Sequence, residues 1–436
     1  MKVLLHSHFP AGHTYPMQAA AQALVSRGHD VVWLTSADNE ARVRVTGAAF
    51  APTSALADLD APLARRGATG LLETDRPAAV LEDRVLAQVA DYRSVIRGGG
   101  FAPDVLLVDV LPHGARALWE LGEVPAYATL GVIPMYTSTS RAPLPVSGKC
   151  PPTSWLDTLV NGLRHLYRQW VVFPWVIRPV INRQRSALGL PGLRYGDAAE
   201  SFTYSPLLHI QASSPTLEFR QRPKPQQQRT SFVGPLVTRR PTSLAVLPAW
   251  WDRVAAHPLV VGITQGTLAM NPTSLIVPSI RALQSDPRNL LVVISPHRRE
   301  IESQIGLSLN SNNNVLFAEF LPYHVLLPQL RLLITNGGYG SITQALSHGV
   351  PLLCAGQTED KKDTAARVSW AGAGIDLATD NPSVDEVWDA ARRILKSDEF
   401  HENAARLGDE LNELGGADRA VDLLEELARG HTSSAG

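Results

Sequence analysis

The feature that most constrains this chain is an alternation. Short β-branched or leucine-rich runs, each long enough for one buried strand, take turns with helix-patterned stretches over most of its 436 residues. "KVLL" (2–5), "VVWLT" (31–35), "DVLLVD" (104–109), "PAYATL" (125–130) and "LLHIQA" (207–212) read as strands. Between the first two, "MQAAAQALVSRG" has helical apolar spacing and closes on Gly28, a helix stop. Such a βαβ rhythm predicts a parallel sheet covered by helices on both faces. It pauses over residues 219–243, polar and rich in Pro, Gln and Arg, which read as a linker. It then resumes with "LVVGITQG" (259–266), "LLVVIS" (290–295), "NVLFAEF" (314–320), "RLLITN" (331–336) and "VPLLCAG" (350–356). The expected class is α/β, with two Rossmann-like parallel-sheet domains facing across a cleft. Residues 1–234 form the first and residues 248–398 the second, joined by a linker at 235–247. A closing charged helix at 399–429 has leucines that can pack back on the N-terminal domain.

Composition narrows the class of partner. Apolar residues make up 44% and charged residues 19%, as in a globular protein with real cores, and the formal net charge is -1. No basic patch dominates, which argues against nucleic acid. The two cysteines, Cys150 and Cys354, are too few and too far apart for a disulfide framework or a zinc cluster, which fits a reducing compartment. The N-terminus enters a strand at once, without a secretory h-region. The apolar run "WVVFPWVI" (170–177) is eight residues broken by proline, far too short to span a bilayer. A cytoplasmic protein without a transmembrane segment, monomer or weak dimer, is expected. That run and "LGVIPMYTS" (130–138) read as core or as the wall of a pocket.

In open parallel sheets, ligands sit beyond the carboxyl ends of the strands. Three motifs fall there. In "ITNGGYGSITQAL" (334–346) a strand ends at Thr335, the chain turns through Gly337, Gly338 and Gly340, and a helix opens near Ser341. Glycines allow close backbone approach and the helix start offers free N–H groups, an arrangement that suits a diphosphate. A tight turn without a ligand is the competing reading. In "GHTYP" (12–16), His13 sits in a Gly/Pro-bounded turn where a general base can face the cleft. Asp109, ending another strand of the same domain, can fix its tautomer and stabilise imidazolium. His6 and His8 raise a different possibility: two histidines on one strand face, as in a metal-dependent hydrolase, with His113 and His209 as further ligands. That reading leaves the glycine turn unexplained.

Taken in order, "AGHTYPMQAAAQALVSRGHDV", "PDVLLVD", "FVGPL" and "FLPYHVLLPQLRLLITNGGYGSITQALSHGVPLL", followed by "EDK", "AARV" and "GAG", resemble the UDP-glycosyltransferase superfamily over nearly the whole chain. These are inverting, metal-independent hexosyltransferases of the GT-B fold. The resemblance implies His13, in a Gly12-His13-x-x-Pro motif, as general base and Asp109 as its carboxylate partner. Thr267 falls at the residue near the donor phosphates, and Phe320, with Pro322 close by, at the aromatic that stacks on the nucleotide base. Asn336, Gly338, Gly340 and Ser341 fall in the His-x-Gly-x-x-Ser/Thr diphosphate motif, with Tyr339 between them. Gln344 stands where plant members carry a ribose-binding glutamate. Glu359, Asp360 and Lys361 stand at the sugar-gripping Asp-Gln pair. His8, Phe9, Met135 and Tyr136 are the implied acceptor lining.

Three departures from the family pattern bear on the chemistry. Asn336 can donate a neutral hydrogen bond but adds no positive charge, so the helix N-terminus carries more of the leaving group. Gln344 lacks the charge-assisted strength of glutamate. Lys361 replaces glutamine and can pair with the neighbouring carboxylates, reach a phosphate, or face solvent. "TEDK" points to a microbial branch. The implied activity is sugar transfer, with inversion, from a nucleotide sugar (UDP-glucose, with a TDP-sugar as second choice) to a hydroxyl of a small hydrophobic acceptor such as a polyphenol or polyketide. No cofactor and no metal are called for. A sugar-nucleotide epimerase and a non-catalytic sugar-nucleotide-binding partner on the same fold are the alternatives.

Overall fold

A computed structural model describes residues 1–54, 57, 83–219, 230–238, 247–266, 271, 273–306 and 314–432. Seven parallel strands form the first sheet: β1 (Lys2–His6), β2 (Asp30–Thr35), β3 (Ala49–Pro52), β4 (Val105–Asp109), β5 (Tyr127–Gly131), β6 (His209–Gln211) and β7 (Thr230–Phe232). Six form the second: β8 (Val260–Thr264), β9 (Leu290–Ile294), β10 (Val315–Ala318), β11 (Leu332–Thr335), β12 (Leu352–Cys354) and β13 (Gly374–Asp376). The spatial orders are β3-β2-β1-β4-β5-β6-β7 and β10-β9-β8-β11-β12-β13. In each sheet the strand order reverses between a first strand and its fourth, β1 beside β4 and β8 beside β11. Those reversals open a crevice at the strands' carboxyl ends.

Successive residues of the central strands go to opposite cores, which is why the runs are apolar throughout rather than alternating. Val3, Leu5, Val105 and Leu107 enter one cluster of the first domain, whereas Leu4, Leu106 and Val108 enter the other. Val260, Val292 and Leu333 are likewise divided from Val261, Ile263, Val293 and Ile334. Helices fill both faces. Six of them shape the cleft, the domain crossings and the outer surface: α1 (Ala11–Ser26), α2 (Trp155–Tyr167), α3 (Tyr339–Ser347), α4 (Lys361–Trp370), α5 (Asp398–Glu413) and α6 (Gly416–Thr432).

Several sequence expectations change here. Residues 230–232, inside the stretch read as linker, pair with β6 as an edge strand. Two short strands, β3 and β13, went unread because neither "AFAP" nor "GID" is a continuous apolar run. The closing helix is two helices. Gly415 and Gly416 adopt positive φ (84° and 59°) and end α5, so the chain turns before α6. Ala404, Leu407 and Leu411 of α5 pack into the second domain, while Ala417, Ala420, Val421 and Leu424 of α6 join the core of the first. Arg27 then reaches Asp422 at 2.5 Å and His29 reaches Glu425 at 2.8 Å. The first pair is exposed and the second partly buried, and both add little beside the apolar packing. The two crossings between domains touch: Gly416 donates its N–H to the Val233 carbonyl at 2.7 Å, and a side chain at Gly234 would collide with the Leu411 carbonyl.

Candidate active site

At the end of β1 the chain crosses residues 7–10 and enters α1 at Ala11, capped by Pro10 in an extended conformation. His13 therefore lies in the first turn of a helix, not in the open turn that "GHTYP" suggested. Pro16 sits inside this helix and has no N–H to offer the Gly12 carbonyl. The turn aims His13 at the end of β4, where its Nδ1 lies 3.1 Å from Asp109 Oδ2. The same carboxylate oxygen accepts the His8 N–H at 2.7 Å, and Oδ1 accepts the Leu111 N–H at 2.8 Å. Asp109 is fully buried, whereas His13 keeps 14% of its side chain exposed.

The charges of this pair support each other. Burial pushes the Asp109 carboxyl up, but His13, its hydrogen bond, His8 and the Leu111 amide outweigh it and hold the group at about 2. Burial pulls His13 down, but Asp109 outweighs it, and the more distant Asp360 and Glu359 add to the rise, so His13 stands above its ordinary value. Asp109 is thus an anion at neutral pH. With Nδ1 occupied by that anion, Nε2 is left to take a proton.

The other histidines are committed elsewhere. His6 is buried with Nδ1 2.6 Å from Tyr92 Oη, and burial lowers it to about 3. His113 stacks on Phe202 and is lowered by burial to about 4. His209 bonds Thr129 and Gln211 and is likewise lowered by burial to about 4. The four histidines of the metal-hydrolase reading are not gathered into one set, and among the described residues no three His, Cys, Asp or Glu side chains are grouped to hold a metal ion. His8 packs edge-on against both Phe9 and His13, with ring centres 4.7 and 5.4 Å away.

The second domain presents its own strand ends. Thr267 lies outside the described residues. After β11, Asn336 is buried and boxed in by Gly266 and Gly356: a Cβ on Gly356 would sit 2.1 Å from the Asn336 carbonyl oxygen. Gly337 has φ +89° and passes against the Lys361 carbonyl, a conformation and a clearance that a side chain would strain. The helix begins at Tyr339, two residues before the expected Ser341. Its Ser341 and Ile342 amides both bond the Gly338 carbonyl, leaving those of Tyr339 and Gly340 without an acceptor among the described residues. Gly338 and Gly340 have open space where a side chain would stand. The Ser341 hydroxyl lies 3.4 Å from Tyr323 Oη, Gln344 Nε2 donates back to the Gly340 carbonyl at 3.0 Å, and Pro322 caps the helical turn that holds Tyr323. Phe320, just past β10, is 68% exposed.

Glu359, Asp360 and Lys361 lie at the start of α4. Of the three choices open to Lys361, it takes the first: the buried ammonium lies 2.5 Å from Glu359 Oε2 and donates to Thr358 Oγ1 at 3.1 Å. Asp360 is raised by burial and by Glu359, against the opposing pull of Lys361 and His13. Glu359 holds a left-handed φ of 53°, costly for a residue with a side chain.

Tyr339 departs from its expected role. Its ring turns away from the glycine turn and crosses into the first domain, donating to Glu218 Oε1 at 2.5 Å and accepting from Gln211 Nε2 at 2.6 Å. Only its amide remains for a ligand. Glu218 also binds Arg367 of α4 at 3.0 Å, both side chains fully buried, and Arg367 donates to the Met135 carbonyl at 2.9 Å. Met135, read as acceptor wall, is buried in this junction, with its own N–H given to Glu218. Tyr136 follows it in the cleft loop, its N–H on Tyr204 Oη at 3.0 Å. Asp363 completes the bridge by accepting the Val146 and Gly148 amides at 2.5 and 2.6 Å. Sequence reading missed Glu218, Asp363 and Arg367. The only available signal was the i, i+4 spacing of Asp363 and Arg367 on an alanine-bearing helix face.

Two parallel sheets that face each other, with a histidine–aspartate pair at one switch point and an open glycine turn at the other, define a GT-B glycosyltransferase. Residues 300–426 match the family model described as erythromycin biosynthesis protein CIII-like, C-terminal domain. The chain is 33% identical over 425 residues to 4'-demethylrebeccamycin synthase of Lentzea aerocolonigenes, covering 95% of this chain and 97% of that one. It is 28% identical over 436 residues to UDP-glucosyltransferase A1 of Starmerella bombicola, covering 96% and 90%. Among solved structures, the spinosyn rhamnosyltransferase SpnG complexed with thymidine diphosphate superposes with a TM-score of 0.67 at 20% identity, over 98% of this chain and 100% of that one. The chain belongs to the UDP-glycosyltransferase superfamily, family 1, in its microbial branch, and is a natural-product glycosyltransferase. No helix among the described residues is long and apolar enough to cross a membrane.

Proposed function

We propose that this enzyme transfers a sugar from UDP-glucose to a hydroxyl of a small hydrophobic acceptor, a polyphenol or polyketide, with inversion at the anomeric carbon. The observation that carries the reading is the 3.1 Å contact between His13 and a buried, ionised Asp109, opposite a second domain whose Asp360 and Glu359 are close enough for His13 to feel their charge. His13 Nε2 takes the acceptor hydroxyl's proton as that oxygen attacks the anomeric carbon. The bond from that carbon to the diphosphate breaks on the opposite face. Asp109 stabilises the resulting imidazolium, and the amides at the start of α3 receive the charge that develops on the diphosphate. Glu359 and Asp360 accept from the sugar hydroxyls, Phe320 stacks on the base, and His8, Phe9 and Tyr136 line the acceptor side. No metal enters this scheme, because the backbone supplies the phosphate donors.

A thymidine diphosphate sugar is the second reading of the donor. It is favoured by the nucleotide bound in the SpnG structure, whereas the names of the Starmerella relatives favour UDP-glucose. Thermal shifts against a panel of nucleotide sugars separate the two: stabilisation by UDP-glucose supports the first, by TDP-sugars the second. No stabilisation by any of them defeats the donor assignment. Product stereochemistry by NMR tests inversion, and turnover unchanged by a chelator tests the metal-free scheme.

A further inference from the structure

The helix α2 is built inside out. Its inward face is polar: Asn161 donates to the Ser140 and Ala142 carbonyls at 2.9 and 2.6 Å, and the buried His165 reaches the Ala142 carbonyl at 2.9 Å. Gly162 lets Ser140 approach between them. Its outward face is apolar. Leu156, Leu159, Val160, Leu163, Leu166 and Tyr167 are all exposed, and Trp155 is 78% exposed. At 100° per residue these side chains fill an arc of roughly 140°. The surface continues into the following helical segment, Arg168–Ile177, where Trp170 and Trp175 are exposed and only Phe173 and Pro174 are buried. Eleven of the seventeen exposed large apolar side chains among the described residues lie between 155 and 176. The run "WVVFPWVI", read from sequence as core or pocket wall, is mostly surface.

We propose that this face docks on an anionic lipid surface. Its charge decides between occupants. One edge of the apolar arc carries Arg164 and Arg168, both exposed and without an ion pair among the described residues, and a single acid, Asp157, which is hydrogen-bonded by Ser154. A second copy of this chain would bring a face of the same net positive charge, two arginines against one acid. A bilayer with anionic headgroups offers opposite charge at the edge and hydrocarbon under the leucines, and the tryptophans and tyrosine suit the boundary between them. The docking is peripheral, since Asp157, Arg164 and Arg168 interrupt the segment and its polar face is bonded to residues 140–142 of the protein. The helix is pinned to residues 140–142, which continue the loop carrying Tyr136. On the proposed acceptor reading, which the docking itself does not require, an apolar acceptor dissolved in the bilayer would be delivered beside that loop.

Flotation with vesicles tests the assignment. The wild-type protein is expected to rise with vesicles of equimolar phosphatidylcholine and phosphatidylglycerol, and about tenfold less with phosphatidylcholine alone. Leu159→Gln/Leu163→Gln is expected to stay at the bottom with either, and Arg164→Glu/Arg168→Glu to lose the preference for the anionic lipid. Both variants should keep the wild-type circular dichroism spectrum and, without vesicles, its turnover of a water-soluble phenol. Flotation is read apart from turnover, so failure of the docking and failure of the proposed reaction are distinguishable. The proposal is overturned if the wild type does not float, or if the leucine variant floats equally well. It is overturned also if light scattering finds a dimer that the leucine substitutions dissolve, which would assign the face to a second copy.

Discussion

The two strand-end sites of this enzyme are prepared in opposite ways. On the first domain the histidine–carboxylate pair is already assembled: Asp109 is held by two backbone amides and by His13. On the second domain the groups are held back. The Tyr339 and Gly340 amides have no acceptor among the described residues, Gly338 and Gly340 leave space, and Phe320 stands in solvent. The cation beside them, Lys361, is already neutralised by Glu359. A proton acceptor benefits from a fixed neighbour that sets its basicity. A departing diphosphate benefits from donors that carry no prior partner. On this contrast, changes on the first side act on the chemical step and changes on the second act on donor affinity.

The largest effect is expected from His13→Ala, which should lower kcat by about 10²–10⁴-fold and leave nucleotide binding by calorimetry unchanged. Loss of binding, or full turnover, would break the division of labour. Asp109→Asn comes next. Asp109 raises His13, and the base must be neutral to work, so the rate climbs as pH rises through the His13 pKa. Without the carboxylate, burial dominates and the acidic limb of the pH–rate profile should move to lower pH, with kcat reduced by roughly 10–10³-fold. An unmoved limb would mean that another group titrates. Gly340→Ala places a methyl where nothing stands within 4 Å. Its melting temperature should be retained and its affinity for UDP reduced about tenfold; unchanged affinity would put the diphosphate elsewhere. The smallest change belongs to Lys361→Gln, which removes the ammonium paired with Glu359. It should shift the donor KM by less than about tenfold with kcat intact, and a collapse of kcat would show that the ammonium reaches the phosphates after all.

The same physics decides which parts were legible in the sequence. Strands buried on both faces leave continuous apolar runs, so β1, β4, β8 and β11 were visible, and with them the ends that hold Asp109 and Asn336. The start of α1 was misplaced because Gly12 and Pro16 imitate a turn, although Pro16 stands inside the helix at the cost of one hydrogen bond to the Gly12 carbonyl. Glu218 and Arg367 are separated by 149 positions, and nothing local in either segment announces a partner across the cleft. Tyr339 stood inside a phosphate motif, yet the direction of its ring is set by Glu218 on the other domain. The apolar spacing along α2 gives a two-sided helix, but periodicity alone does not say which side faces the protein. There the polar side turned inward, because Asn161 and His165 found carbonyls to bond.

The contact between Gly416 and Val233 bears on how the cleft works. The chain passes from one half of the molecule to the other near residue 234 and returns near residue 415, and the two passages lie side by side. Two adjacent pins allow a rotation about the line through them and resist sliding. Halves hung in this way are confined to one path of opening and closing, and on the proposed mechanism that path returns His13 to the same register with the sugar.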